Sequence, residues 1–248
     1  MLSVDINCDM GEGCGNDAEL MKHVSSVNIA CGFHAGDDET MRRTVEIAVE
    51  NGVAIGAHPS FRDRQGFGRN AANLPLPDLF DIVAEQIGTL RKICVAAGGE
   101  LSHVKPHGAL YNQAAKDADL ARTIAKAVRS IDVNLILFGL SGSFSISEAN
   151  DAGLRTACEG FADRTYRPDG SLTPRREPNA LIHEAETAAF QVLEMVKSQR
   201  VTATDGTTVP IVAETVCIHG DHANALQMVI AIRRKLSENG IMITALHG

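Results

Sequence analysis

Hydrophobic and polar residues alternate over residues 2–8, with Val4, Ile6 and Cys8 on one face and Asp5, Asn7 and Asp9 on the other. A period of two predicts a strand. Over 38–51 the period lengthens: acidic residues open the segment, and Met41, Val45, Ala48 and Val49 recur at helical spacing. The two periods then take turns. Strands are predicted at 25–30, 53–57, 101–105, 133–138, 154–158, 215–219 and 241–246, and helices at 77–97, 117–129, 144–152, 178–199 and from Gly220-Asp221-His222 to 238. Residues 133–138 are apolar apart from Asn134, as in a strand buried on both faces. A stretch near 200–212, centred on Asp205-Gly206, carries a hairpin signature. Repeated strand–helix alternation favours a parallel (β/α) barrel over a doubly wound open sheet.

The polar residues strengthen that choice. Asp9, His34, His58, His107 and His219 each follow a different predicted strand at the same end. A barrel gathers such positions around one mouth, whereas an open sheet spreads them apart. Asp5, deeper in its strand, reads as a buried, hydrogen-bonded structural carboxylate. His247, near the C-terminus, reads as incidental.

The densest chemistry lies in His103-Val104-Lys105-Pro106-His107-Gly108-Ala109-Leu110-Tyr111-Asn112. In extended backbone His103, Lys105 and His107 share a face. Pro106 removes an amide donor and keeps Lys105 extended, so the two histidines do not form a helical zinc-ligand pair. The segment reads as a strand end running into a loop, with a structural histidine pair beside a surface lysine as the plainer alternative. Loops at 59–77 and 159–178 are rich in Arg and Asp, and Arg69, Arg164 and Arg175 can present guanidinium groups to an anion. Solvated surface arginines are the alternative there. Gly11-Glu12-Gly13-Cys14-Gly15 does not match a dinucleotide fingerprint, and Gly139-Leu140-Ser141-Gly142-Ser143 lacks the fifth glycine of a nucleophile elbow, so it reads as a turn and helix cap.

Composition narrows the field. The 248 residues hold no Pro/Gly/Ser-rich linker, which favours one domain over 1–248 with the hairpin as an addition. A formal charge of −8 argues against nucleic acid as partner. Six cysteines without a C-x-x-C fit reduced thiols in a cytoplasmic protein. No secretory leader and no apolar run of about eighteen residues is visible, which argues against secretion and membrane spanning.

Several blocks together resemble the family of A-type 5-oxoprolinase subunits, also called LamB/YcsF. They are Asp5-Ile6-Asn7-Cys8-Asp9-Met10-Gly11-Glu12, Asn28-Ile29-Ala30-Cys31-Gly32-Phe33-His34-Ala35-Gly36-Asp37, Gly56-Ala57-His58-Pro59, Gly66-Phe67-Gly68-Arg69, the stretch from His103 to Asn112, Phe161-Ala162-Asp163-Arg164-Thr165-Tyr166 and Val216-Cys217-Ile218-His219-Gly220-Asp221. Cys14, where many members carry an aromatic residue, and a short loop before Leu20 depart from the pattern. The resemblance implies an irregular seven-stranded (β/α) barrel of the glycoside hydrolase and deacetylase type. It further implies one subunit of an ATP-dependent 5-oxoprolinase, which hydrolyses 5-oxo-L-proline to L-glutamate with ATP and Mg2+, alongside two other subunits of B and C type.

On this reading Asp9, Glu12, His34, Lys105 and His107 are catalytic candidates. His58, Arg69, Asn112, Arg164, Arg175 and His219 are candidates for holding substrate or phosphate. Whether a transition metal is bound stays open, with Asp9, His34, His58, His107 and His219 as available ligands. No G-x-x-x-x-G-K-[ST] occurs, which excludes a P-loop nucleotide site on this chain. A metal-dependent amide or ester hydrolase related to polysaccharide deacetylases, and a non-catalytic lactam-binding protein within the complex, are the alternatives.

Overall fold

Strands buried on both faces close a sheet on itself, because one face packs on helices and the other fills the centre. Every residue of Ser26–Ala30 and of Ile136–Leu140 is buried in this way. The computed structural model describes residues 2–221 and 224–246. Its first half runs β1 (Ser3–Met10), α1 (Asp17–Met21), β2 (Ser26–Ala30), α2 (Asp38–Asn51), β3 (Ala54–His58), α3 (Leu76–Ala96), β4 (Leu101–Val104), α4 (Gly108–Ala114) and α5 (Ala118–Ile131). The second half runs β5 (Ile136–Leu140), α6 (Phe144–Asp151), β6 (Arg155–Phe161), α7 (Ala185–Ser198), β7 (Arg200–Thr202), β8 (Thr208–Pro210), β9 (Thr215–His219), α8 (Ala225–Glu238) and β10 (Met242–Ile243).

Strands β1, β2, β3, β4, β5, β6 and β9 pair in parallel in that order, and β9 returns to β1 from Asp5↔Thr215 to Asp9↔His219. The result is a closed seven-stranded barrel. Strand β10 adds only two pairs, at Ser3 and Val4, and β7–β8 form the antiparallel hairpin outside it. Helix α2 shows how sequence sets the outer layer. Asp37 accepts a bond from the Thr40 amide, Met41, Thr44, Val45 and Ala48 face inward, and Gly52 ends the helix at φ 64.

The pattern reading misses α1, places β5 three residues early at its start, and differs in four further places. Residues 178–184 are not helical, because Leu181 bridges back to Arg164 and the Ile182 amide bonds to the Asp163 carbonyl. The predicted strand at 241–246 shrinks to β10. Helix α8 begins at Ala225 rather than Gly220, and His222 and His247 lie outside the described residues. The predicted loop after β4 is only Lys105, Pro106 and His107 before the chain enters a helix, α4; a bond from the Ala109 amide to the Gly68 carbonyl supports its first turn. Gly108 is required there: it sits at φ +55, and a Cβ would lie 2.5 Å from that same carbonyl oxygen. All six cysteines are unpaired. Among the described residues no helix is long and apolar enough to cross a membrane.

Candidate active site

The floor of the barrel mouth is built around Lys105. Its backbone amide bonds to the Ala57 carbonyl at 2.9 Å, fixing the residue at the end of β4. Its ammonium, 3% exposed, lies 3.0 Å from Asp9 Oδ1 and 3.0 Å from Glu159 Oε1. It also donates to Asn7 Oδ1 at 3.1 Å and reaches Cys217 Sγ at 2.9 Å. Burial opposes the charge, yet Asp9, Cys217 and Glu159 raise the Lys105 pKa well above the lysine value. Burial also opposes the Asp9 carboxylate, but His58 and Lys105 hold it well below the usual range. Three strands besides β4 thus meet at one buried cation.

Beside this floor lie three histidines and Glu12. His58 Nδ1 donates to the Lys105 carbonyl at 2.7 Å, and His107 Nε2 to the Phe67 carbonyl at 2.9 Å. Their inner nitrogens, His58 Nε2 and His107 Nδ1, face each other at 2.9 Å. Glu12 Oε1 lies 3.0 Å from His34 Nε2, 3.3 Å from His107 Nδ1 and 3.8 Å from His58 Nε2, while Asp9 Oδ2 is 3.3 Å from His58 Nε2. Burial lowers the pKa of His34, and burial together with His58 and His34 lowers that of His107 well below the ordinary value. Phe67 holds a left-handed backbone, φ 55, to present its carbonyl to His107; such strain persists where the surroundings over-determine it. Ligand-type atoms of Glu12, His34, His58 and His107 all lie within 4.8 Å of one another, and those of Asp9, Cys217 and His219 form a second such group.

Above the floor opens a cavity of about 580 Å3. Asp9, Glu12, His58, Lys105 and His107 line it below, and Arg69, Asn112, Lys116, Arg164, Arg175 and His219 line it above. Arg69 and Arg175 meet across the mouth on Asp221 Oδ2, at 2.9 and 3.2 Å. Arg164 donates to the carbonyls of Thr173 and Ala180, and burial with the nearby Arg175 pushes its pKa down to about 10. It therefore staples the 159–178 loop as well as lining the cavity. Asn112 donates to the Gly108 carbonyl on α4, and His219 Nδ1 lies 2.9 Å from Asp163.

Sequence-derived candidates converge here with two exceptions in placement. His34 is absent from the cavity wall and stands behind Glu12, bonded to Ser60 on its other nitrogen. His103, grouped by parity with Lys105 and His107, lies inside the barrel: it bonds to Asn28 at 2.9 Å and stacks on Phe138 at 4.2 Å, and burial pushes its pKa down to about 3. Successive residues on one face of a strand stand about 6.6 Å apart along it, so parity does not fix depth. Asp5 is structural, accepting from Ser25, Ser26 and Thr215 at 2.6 Å each.

Sequence reasoning missed Glu159, Cys217, Asn7 and Tyr111. Glu159 is fully buried and its Oε2, like the Tyr111 hydroxyl on the cavity wall, has no hydrogen-bond partner among the described residues. A carboxylate two residues before the end of an apolar strand was the available signal.

Comparison with known proteins follows the same lines. The LamB/YcsF family profile matches residues 4–248. A protein of Geobacillus kaustophilus, named as the A subunit of 5-oxoprolinase, is 51% identical over 249 residues, 99% of this chain and 97% of that protein. The crystal structure of a lactam utilization protein from Thermus thermophilus superposes with a TM-score of 0.92 at 42% identity, covering 99% of this chain and 100% of that one. A deacetylase solved with substrate shares the fold at 14% identity and a TM-score of 0.54, covering 98% of this chain and 87% of that one.

Proposed function

The chain belongs to the LamB/YcsF family, and on that premise we propose that it is the A-type component of an ATP-dependent 5-oxoprolinase, opening 5-oxo-L-proline to L-glutamate. The single observation that carries this reading beyond kinship is the cavity itself: a buried ammonium between two carboxylates at the floor, under a rim of Arg69, Arg164 and Arg175. The rim suits the substrate carboxylate, since guanidinium groups pair with carboxylates through parallel, charge-assisted bonds. The floor suits the lactam end.

A five-membered lactam is a resonance-held amide and a poor electrophile. Transfer of the γ-phosphoryl group of ATP, bound with Mg2+, to the lactam oxygen releases ADP and makes the ring carbon attackable. One water adds there, the C–N bond breaks with a proton to the amine, and the phosphate stays on the new carboxyl group. A second water releases it, giving glutamate and phosphate. Lys105 stabilises the developing negative charge. Asp9, held ionised by His58 and Lys105, or Glu12 takes the proton of water. No P-loop motif occurs on this chain, so the nucleotide binds without that motif or on a partner of B or C type.

The test is glutamate and phosphate release from 5-oxoproline and ATP, using this chain alone and then with both partners. Equal release only in the complete mixture, lost with Asp9→Asn, is the expected result. Glutamate without ATP from the chain alone would favour a metal-dependent hydrolase. Lactam binding without any need for Asp9 would favour a passive binding role.

A further inference from the structure

We propose that Glu12, His58 and His107 form a binding site for one divalent transition-metal ion of the zinc class, held at the floor of the cavity. The inference is independent of the lactam reading and rests on a conflict between hydrogen bonds. The outer nitrogens of His58 and His107 both point at backbone carbonyls, of Lys105 and Phe67. A carbonyl only accepts, so each outer nitrogen carries a proton, and in the neutral form of each ring the inner nitrogen presents a lone pair inward. Those two lone pairs stand 2.9 Å apart. Glu12 Oε1, an acceptor too, faces the same point, and Asp9 Oδ2 lies 3.3 Å from His58 Nε2. With both rings neutral, three acceptors surround one spot with no donor among them, and a cation there relieves the conflict.

Geometry favours a metal over a shared proton. Zinc bonds of about 2.0–2.1 Å to nitrogen or oxygen in a tetrahedral arrangement separate ligand atoms by roughly 3.3 Å. The three separations among His58 Nε2, His107 Nδ1 and Glu12 Oε1 are 2.9, 3.3 and 3.8 Å, which bracket that value. A proton satisfies one pair of acceptors and leaves Glu12 Oε1 with only its contact to His34. The His58 and His107 rings cross at 82°, so their planes intersect and one ion can lie in both. Each histidine also has its outer nitrogen fixed by a carbonyl, the arrangement that orients metal-bound imidazoles.

The same geometry excludes His34 as a ligand. Its ring lies parallel to that of His107, 5° apart in plane and 3.8 Å between centroids, so no ion can lie in both ring planes. His34 instead orients Glu12, with Ser60 behind it. Asp9 and His219, from the sequence-derived set, are engaged by Lys105 and Asp163. Glu12, His58 and His107 all line the cavity, which leaves the coordination open on that side to water or to a carbonyl or carboxylate oxygen of a ligand. Two histidines, one glutamate and an open position match the donor set of hydrolytic zinc centres.

The experiment is metal titration of the chelator-stripped full chain with Co2+ and Zn2+, read by the visible Co2+ spectrum, by equilibrium stoichiometry and by thermal unfolding. One equivalent per chain, a four- or five-coordinate Co2+ spectrum and a raised Tm are expected. Glu12→Gln, which keeps the side-chain shape, and His107→Ala should each abolish stoichiometric binding, whereas His34→Gln should weaken it by about 10–100-fold. His219→Ala should leave it intact. Absence of stoichiometric binding by the unmodified chain, or loss in His219→Ala but not in Glu12→Gln, would overturn the site and leave a proton shared between His58 and His107. None of the three readouts involves lactam turnover, so the site and the 5-oxoprolinase reading stand or fall separately.

Discussion

At the scale of single residues, Lys105 and His103 show how two inward-facing basic groups on one stretch of chain meet opposite fates. Lys105 keeps its charge because Asp9 and Glu159 lie 3.0 Å away. Replacing it with Met strands both carboxylates without a counter-charge, and Lys105→Met should lose about 3–5 kcal/mol of stability in urea unfolding. Lys105→Arg should not restore it, since the planar guanidinium is wider than the socket filled by a compact ammonium. His103 has no counter-charge and is held neutral, with its pKa pushed down to about 3. Between roughly pH 6.5 and pH 3 the unfolded chain binds that proton and the folded chain does not, so stability falls as pH falls, by up to about 1.4 kcal/mol per unit. His103→Gln should flatten this acid limb in unfolding measured across that window; an unchanged slope would place the acid sensitivity elsewhere. Lys105 was legible from its neighbours Pro106 and His107. Glu159 was not, because a lone carboxylate in the apolar strand β6 declares its partner only when β4 and β1 are brought opposite it.

Among the elements, α2 matched its predicted bounds because its signals are local: an Asp37 cap, an inward stripe and Gly52. Helix α4 was invisible for the opposite reason. Its start depends on a contact between Ala109 and Gly68, in the loop after β3 and far away in sequence. That loop also fixes the histidines, which makes Gly68 a test of coupling between elements. Gly68 has φ +64, and a Cβ there would lie 2.8 Å from His107 Cδ2 and 3.0 Å from His34 Cβ. Gly13 is equally left-handed, at φ +85, but a Cβ there meets nothing within 4 Å. Gly68→Ala and Gly13→Ala should therefore share a backbone cost of about 1–2 kcal/mol. Only Gly68→Ala should also displace His107 and abolish glutamate formation in the reconstituted mixture. Equal residual activity in the two variants would show that the loop does not hold the site.

For the molecule as a whole, the closed barrel was legible because five polar residues follow five different strands, which only a barrel brings to one mouth. The partners that complete an activity leave no such trace in the pattern. Charge adds a further whole-molecule constraint: the chain carries −8 overall, yet its cavity is rimmed by Arg69, Arg164 and Arg175. An acidic surface repels a small carboxylate everywhere except at such a rim, so local field rather than net charge decides binding. Arg175 can be removed with limited structural loss, since it is partly exposed and Asp221 keeps its bond to Arg69. A hydrogen bond to a charged group contributes about 1.5–3 kcal/mol, so Arg175→Ala should raise KM for 5-oxoproline by roughly tenfold or more with kcat nearly unchanged. Added salt should raise KM of the unmodified protein and affect the variant less. 2-Pyrrolidinone, the same lactam without the carboxylate, should not distinguish the two proteins. A fall in kcat at constant KM would instead assign Arg175 to charge that develops on the phosphoryl group during reaction, moving it from recognition of the acid to stabilisation of the transition state.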